Sequence, residues 1–117
     1  MTKTGVGFEC VAIKENKPFS YQLVSKHMKD KSKLVSAFHV ISEKKLVNPT
    51  LVLDYDIFVC GDDASVQVVN GLINEIKGLR PIYLGPIELS YFAEMSTPLL
   101  LNAMIRNKIK NPGIKIV

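Results

Sequence analysis

VCGDDASVQVVNGLINEIKG, residues 59 to 78, joins the end of an apolar run to the clearest helical pattern in the chain. Its apolar residues recur with a period of 3.6, which predicts a helix over about 64–77 with one buried face. The residues on that face are Val66, Val69, Leu72, Ile73 and Ile76. Asp62 or Asp63 can cap the first N–H groups, and Gly78 can end the helix in a left-handed conformation. The stretch therefore predicts a strand that passes directly into an amphipathic helix.

The rest of the chain alternates between strand and helix patterns. Runs rich in β-favouring residues predict strands over 6–13, 34–41, 55–60, 80–84 and 113–117. Helical spacing predicts further helices over about 19–28 and 88–106, the second kinked at Pro98. Such alternation is typical of an α/β fold, here a small mixed sheet of about four to five strands packed by helices. With 117 residues, 47% of them hydrophobic, the chain predicts a single domain over 1–117.

Composition argues against several classes of protein. The net charge of +4 comes from 15 Lys and Arg against 11 Asp and Glu, which is too sparse to indicate nucleic-acid binding. Cys10 and Cys60 are too far apart for a zinc or disulfide pattern, so we expect a reducing, cytoplasmic location. No signal core and no apolar run of about 20 residues is present, which predicts a protein without a membrane segment.

The corner VCGDD, residues 59–63, has two interpretations: a reactive thiol or metal site, or a structural joint. A reactive thiolate needs positive surroundings, whereas two carboxylates follow Cys60 and would raise the pKa of its thiol. A metal site would need more ligands than this neighbourhood offers. We therefore interpret the corner as the joint between strand and helix, and predict no metal.

Two other motifs are weak. The Gly-x-Gly of TGVG, residues 4–7, has no strand before it, no third glycine and no helix after it, so it does not indicate phosphate binding. The lysine-rich run KHMKDKSK, residues 26–33, contains no aromatic residue to stack a base. A solvated helix end explains its lysines better than nucleic-acid binding does.

Three polar side chains are candidate ligand contacts. His39 stands where the apolar run SAFHVIS ends, and ligands of open α/β sheets bind beyond the carboxyl ends of strands. Thr97, just before Pro98, and Tyr91 are polar groups on an otherwise apolar helix, where a kink would expose backbone carbonyls. The alternatives are a histidine bonded to a local carbonyl, which is the more common case, and a helix that is bent only to fit the core.

The segments SAFHVIS, DYDIFVCGDD and GLRPIYLGPIELSYFAEMSTPLLLN, in this order and spacing, resemble the C-terminal half of the NADP oxidoreductases that depend on coenzyme F-420, a deazaflavin. The resemblance runs from about Phe19 to Val117, while residues 1–18 resemble the last strand of the nucleotide-binding half of those enzymes. The domain is also similar to the cytosolic reductase portion of membrane metalloreductases. The Gly-Leu-Arg-Pro segment and the Thr-Pro-Leu helix favour the deazaflavin family.

The resemblance implies hydride transfer between NADPH and the deazaflavin, a reaction that needs two stacked rings and no protein acid or nucleophile. It implies cofactor-binding roles for His39 and Thr97, which match a histidine and a threonine of the family's ring pocket. Tyr91 is the third cofactor-binding candidate, and here the sequence departs from the family, which commonly has arginine for a polar or anionic contact to the deazaflavin. Within this resemblance the expected fold is the end of a Rossmann-like domain plus its C-terminal domain.

The resemblance also implies what the chain lacks. Members of the family begin with a strand, a glycine-rich turn and a helix that hold the NADP pyrophosphate, and no such segment stands in this sequence. We therefore expect that NADP does not bind this chain alone, and that activity requires a separate nucleotide-binding subunit. The alternative is a non-catalytic dimerisation module. In either case a free strand edge in VGFECVAI, residues 6–13, predicts a homodimer or a pairing with that subunit.

Overall fold

The computed structural model describes residues 2–9, 16–39, 53–110 and 112–117. These residues form the strands β1 Thr2–Thr4, β2 Gly7–Glu9, β3 Val35–Ser36, β4 Tyr55–Gly61 and β5 Leu79–Gly85. They also form the helices α1 Ser20–Ser25, α2 Asp63–Asn74 and α3 Ser90–Asn107. Short 3₁₀ helices, Lys31–Lys33 and Ile87–Leu89, precede β3 and α3. The predicted α/β class is confirmed.

The central sheet has the order β3-β4-β5. β4 and β5 are parallel, with Tyr55 opposite Leu79, and α2 makes the crossover connection that parallel strands require. β3 is antiparallel to β4, with Val35 opposite Gly61, so the sheet is mixed as predicted. The remaining two strands form a separate antiparallel hairpin instead of extending this sheet.

The core lies between α2 and the central sheet. Its buried residues are Leu53, Ile57, Val59, Val66, Ile73 and Leu79. Each fully buried aliphatic side chain of this kind contributes about 1.5–3 kcal/mol to stability. Val69 and Ile76 pack against the core as the periodicity predicts, but Leu72 is 57% exposed. The prediction that Leu72 shares the buried face is therefore wrong, because α2 has the sheet on one side only.

The corner at residues 59–63 is the predicted joint. Cys60 is fully buried, β4 ends at Gly61 and α2 begins at Asp63. A Cβ atom on Gly61 would lie 2.8 Å from the Leu34 carbonyl oxygen, so the close approach of β3 requires glycine here. Asp62 occupies the N-cap position without a side-chain capping bond, so Asp63 in the first turn supplies the favourable charge.

α2 ends three residues before the predicted position, at Asn74. Gly78 has a φ of +90°, as predicted, but its role is to bring the chain back to the sheet. A Cβ atom there would lie 1.6 Å from the carbonyl oxygen of Leu53. The Gly78 carbonyl also accepts a 3.0 Å hydrogen bond from the Tyr55 N–H. Gly78 thus fixes how β5 starts beside β4.

The C-terminal segment 112–117 is not a strand, contrary to the prediction for 113–117. The Asp56 N–H donates to the Ile114 carbonyl over 2.7 Å, so the segment does lie beside the start of β4. Instead of bonding to the β4 backbone, the Ile116 N–H donates to the Asp56 side-chain carboxylate over 2.6 Å. A side chain therefore binds the segment where a strand would use its backbone.

The hairpin of β1 and β2 packs on the end of α3. The Asn102 amide accepts from the Phe8 N–H over 2.7 Å and donates to the Phe8 carbonyl over 2.8 Å. Arg106 donates to the Val6 carbonyl. A Cβ atom on Gly7 would lie 2.4 Å from Asn102 Oδ1, so only glycine allows this approach. At Phe8 the strand edge predicted to be free is covered by Asn102, while residues 10–13 of the predicted strand lie outside the described residues.

Candidate functional site

His39 lies just after β3, on a turn that Phe38 makes with a φ of +63°. Its ring nitrogen Nε2 is 2.8 Å from the hydroxyl oxygen of Ser36. Its other ring nitrogen, Nδ1, is buried and makes no hydrogen bond in the described structure. Burial lowers the pKa of His39, because the charged form would lose its water. The imidazole is therefore neutral near pH 7, with one nitrogen held and the other unpaired.

Thr97 belongs to the same site. Its hydroxyl donates a 2.7 Å hydrogen bond to the backbone carbonyl of His39, which ties α3 to the turn after β3. The neighbouring Ser96 and Pro98 are buried, so this part of α3 is fixed against the protein interior. Pro98 lies inside a continuous helix, and the predicted kink there stays a prediction. The structure thus brings together two of the three candidate residues.

Tyr91 is placed elsewhere on α3. Six residues separate it from Thr97, which corresponds to about 120° around the helix axis. Its ring centroid lies 4.0 Å from that of Phe92 and 6.0 Å from that of Phe19. Among the described residues, no hydrogen bond joins Tyr91 to His39 or Thr97. Tyr91 belongs to an aromatic cluster between α1 and α3.

Glu94 is a residue that sequence reasoning missed. Burial raises the pKa of this carboxyl, and hydrogen bonds from the Ser20 hydroxyl and from the N–H groups of Ser20 and Tyr21 oppose that rise. Its Oε2 atom is buried and has no partner in the described part of the chain. Glu94 and Thr97 lie on neighbouring positions of α3, three residues apart. The sequence did carry a signal for Glu94, because an acidic residue within an apolar helix is unusual.

Ser36 was also missed. Its signal was the spacing of Ser and His in SAFHVIS, three residues apart, which a strand would place on opposite faces. β3 ends at Ser36, and the turn through Phe38 brings the two side chains into contact instead. The contact between Ser36 and His39 depends on this turn, which the sequence pattern does not predict.

His39 does not lie beyond the carboxyl ends of parallel strands, as the sequence argument had assumed. Ligands of open parallel sheets bind at the carboxyl edge, which for β4 and β5 lies at Gly61 and Gly85. Because β3 is antiparallel, Val35 starts at that edge and the chain then moves away from it. His39 is therefore held by its contacts with Ser36 and α3, and not by a position at the carboxyl edge.

The geometry supports binding more than acid–base or metal chemistry. In the ranges that the structure describes, no cluster of three or more His, Cys, Asp or Glu could hold a metal ion. Burial raises the pKa of the Cys60 thiol, which disfavours the reactive thiolate. None of the described helices is long and apolar enough to span a bilayer. The site therefore offers a half-buried, neutral imidazole whose Nδ1 atom is buried and unpaired beside α3.

Comparison with known proteins relates this chain to one enzyme class. It is 42% identical over 86 residues to the F420-dependent NADP reductase of Methanocaldococcus jannaschii. The reductases of the same name from Methanothermobacter thermautotrophicus and Methanothermobacter marburgensis are 35% and 34% identical over 86 residues. The chain is a relative of the F420-dependent NADP reductases. No protein-family model matches it.

These matches confirm the resemblance stated from the sequence. They cover 73% of this chain but only 39%, 37% and 38% of the three reductases. The chain thus spans less than two fifths of the length of the curated relatives that it matches. The activity and cofactors of those complete enzymes come to this chain only as a proposal.

Proposed function

We propose that this chain forms the deazaflavin-side wall of an F420-dependent NADP reductase. One observation carries the proposal: a neutral histidine with a buried, unpaired Nδ1 atom stands against α3 in a relative of these reductases. An unpaired buried polar atom is costly unless a ligand pairs with it. The carbonyl oxygens and ring nitrogens of a deazaflavin offer partners of the right kind.

In this proposal the residues bind and position, and do not react. His39 makes one hydrogen bond to the ring system, and Thr97 keeps the His39 backbone in place through its carbonyl. Tyr91, with its aromatic partners Phe19 and Phe92, excludes water near the N-terminal ends of α1 and α3. When bound, the deazaflavin supplies the ring carbon that exchanges hydride with NADPH. Proximity and exclusion of water are then the protein's contribution.

NADPH is expected to need a second nucleotide-binding polypeptide. None of the described turns combines a strand, a glycine-rich turn and the start of a helix in the arrangement that holds a pyrophosphate. At the joint after β4, Asp62 and Asp63 stand where phosphate would have to bind and would repel it. We therefore expect the chain to bind a deazaflavin by itself and to transfer hydride only with a separate nucleotide-binding chain.

The test is a pair of titrations followed by an activity assay. The purified chain is titrated with coenzyme F-420 and with NADPH separately, and hydride transfer is then measured with a nucleotide-binding chain encoded next to it. His39→Leu is expected to weaken deazaflavin binding about tenfold or more, the loss of one buried hydrogen bond. His27→Leu is the matched control, because His27 is exposed in the turn after α1. No binding by the wild-type chain, and no activity in the mixture, would exclude the proposal.

A second candidate function is a non-catalytic dimerisation module derived from the same family. Phe92 and Leu99, two helical turns apart on α3, are 58% and 63% exposed, and such apolar residues favour contact with a partner. We expect a homodimer in which the Phe92 and Leu99 side of α3 contacts the second copy of the chain. Sedimentation of wild-type protein and of Phe92→Ser at micromolar concentration tests it, and a monomer in both cases would exclude it.

A further inference from the structure

Ser36 and His39 form a pair that the proposed binding role alone does not explain. The Ser36 hydroxyl oxygen lies 2.8 Å from His39 Nε2, on the side of the ring away from the unpaired Nδ1 atom. Phe38 stands between them in a left-handed conformation, φ +63°, and its ring packs against the core. Left-handed backbone is uncommon for an aromatic residue, so packing holds this turn in place. The contact is therefore part of the fixed structure.

The chemistry of the pair selects one form of the imidazole. A neutral imidazole carries its proton on one nitrogen and accepts at the other. The Ser36 hydroxyl has one proton to donate, and in the described structure its hydrogen-bond partner is His39 Nε2. When Ser36 donates to Nε2, the ring proton must be on Nδ1. In the reverse arrangement Nε2–H donates to the serine oxygen, and the described protein groups then provide no acceptor for the serine proton.

We infer that Ser36 holds His39 as the Nδ1–H tautomer and so makes the half-buried imidazole a hydrogen-bond donor, through its buried Nδ1, for an acceptor atom of the ligand. Ser36 is then a positioning residue that acts through His39. The ligand's identity as a deazaflavin rests on the proposed function, but the tautomer belongs to the chain itself. A ligand that presents a carbonyl oxygen at this point is accepted, and one that presents only a donor is rejected.

The tautomer can be measured without any ligand. Long-range ¹H–¹⁵N correlation spectra of ¹⁵N-labelled protein at neutral pH distinguish protonation at Nδ1 from protonation at Nε2. We expect the Nδ1–H pattern for His39 in the wild-type chain, with exposed His27 as the internal reference. Ser36→Ala is expected to move His39 towards the Nε2–H pattern or a mixture, whereas Ser36→Thr keeps the donor and the wild-type pattern. An Nε2–H pattern in the wild-type chain overturns the inference, whether or not Ser36→Ala folds.

Ligand binding separates this inference from the proposed function. Addition of coenzyme F-420 is expected to shift the Nδ1–H resonance, and Ser36→Ala is expected to weaken binding severalfold. Ser25→Ala is the control, because the Ser25 hydroxyl donates to the Gln22 carbonyl within α1. An Nδ1–H pattern with no deazaflavin binding would remove the proposed function and leave the tautomer assignment standing. Deazaflavin binding that is equal in the wild-type and Ser36→Ala chains would overturn the role of Ser36.

Discussion

The Thr97 hydroxyl donates a 2.7 Å hydrogen bond to the backbone carbonyl of His39, between residues 58 positions apart in sequence. This bond joins the long helix α3 to the turn after β3. It places the His39 ring relative to the helix without using either ring nitrogen. The candidate site therefore depends on a contact between two separate elements.

Thr97→Val tests this contact, because valine keeps the branched shape and removes the donor. We expect the free energy of unfolding to fall by about 1 kcal/mol, the net value of one hydrogen bond. Deazaflavin affinity should fall with it, since the His39 turn loses its tie to α3. Urea unfolding and a deazaflavin titration measure both effects. Thr97→Ser keeps the hydroxyl, and equal losses in Ser and Val variants would show that the bond has no role.

Asp56→Asn removes the charge that holds the C-terminal segment. The buried Asp56 carboxylate accepts from Arg80 Nε and Nη2, each over 2.8 Å, and from the Ile116 N–H. These donors lower the pKa of Asp56 to about 2, from 3.8, with the Arg80 hydrogen bond as the largest cause. At about 1.4 kcal/mol per pKa unit, we expect unfolding to become easier by about 2 kcal/mol at pH 7. Asp54→Asn is the matched comparison, because Asp54 pairs with Lys115 of the same segment but is 71% exposed, so we expect a much smaller loss.

The same pKa shift gives a pH dependence with a defined sign. A carboxyl whose folded pKa is lowered stabilises the protein above its unfolded pKa, here 3.8, and loses that contribution as the pH falls through the folded value of about 2. The stability difference between wild type and Asp56→Asn should therefore shrink between pH 4 and pH 2. Thermal unfolding at a series of pH values measures it. A difference that stays constant over this range would contradict the assignment to Asp56.

Two glycine substitutions should act in opposite directions. Gly78→Ala places a Cβ atom 1.6 Å from the Leu53 carbonyl oxygen at a φ of +90°, so we expect a loss of about 3 kcal/mol or more. Gly71→Ala lies inside α2, where nothing stands within 4 Å, and should stabilise by about 0.5–1 kcal/mol. Chemical unfolding of both variants measures these changes. A tolerated Gly78→Ala would contradict the register of β5.

Asn102→Ala should release the β1–β2 hairpin. The Phe8 N–H and carbonyl lose both partners on α3, so we expect faster hydrogen exchange at the Phe8 amide and a loss of about 1–2 kcal/mol in unfolding free energy. The uncovered edge of β2 should also raise self-association in sedimentation. Asn107→Ala is the matched control, because its exposed side chain donates to the Ala103 carbonyl within α3. Unchanged exchange at Phe8 would contradict the role of Asn102.

The sequence was enough to predict an element wherever the pattern of that element lies within one continuous segment. The periodicity of Val66, Val69, Ile73 and Ile76 predicts α2, and the adjoining strand and glycine predict its flanks, because burial on one face and backbone freedom are local properties. The family resemblance rests on such local segments in order, and the comparisons confirm it. His39 and Thr97 are predicted as candidates in the same way, as polar residues in apolar runs.

Only the tertiary structure decided how these elements meet. The antiparallel direction of β3, the turn that joins Ser36 to His39, and the bond from Thr97 depend on chain reversals between distant segments. The pattern within one segment carries no information about such pairings. The binding of the C-terminal segment by Asp56 and Arg80 also depends on long-range contacts. The buried Asp56 carboxylate has a low pKa because other elements bring hydrogen-bond donors to it. Local propensity therefore determined the elements, and long-range packing determined the site.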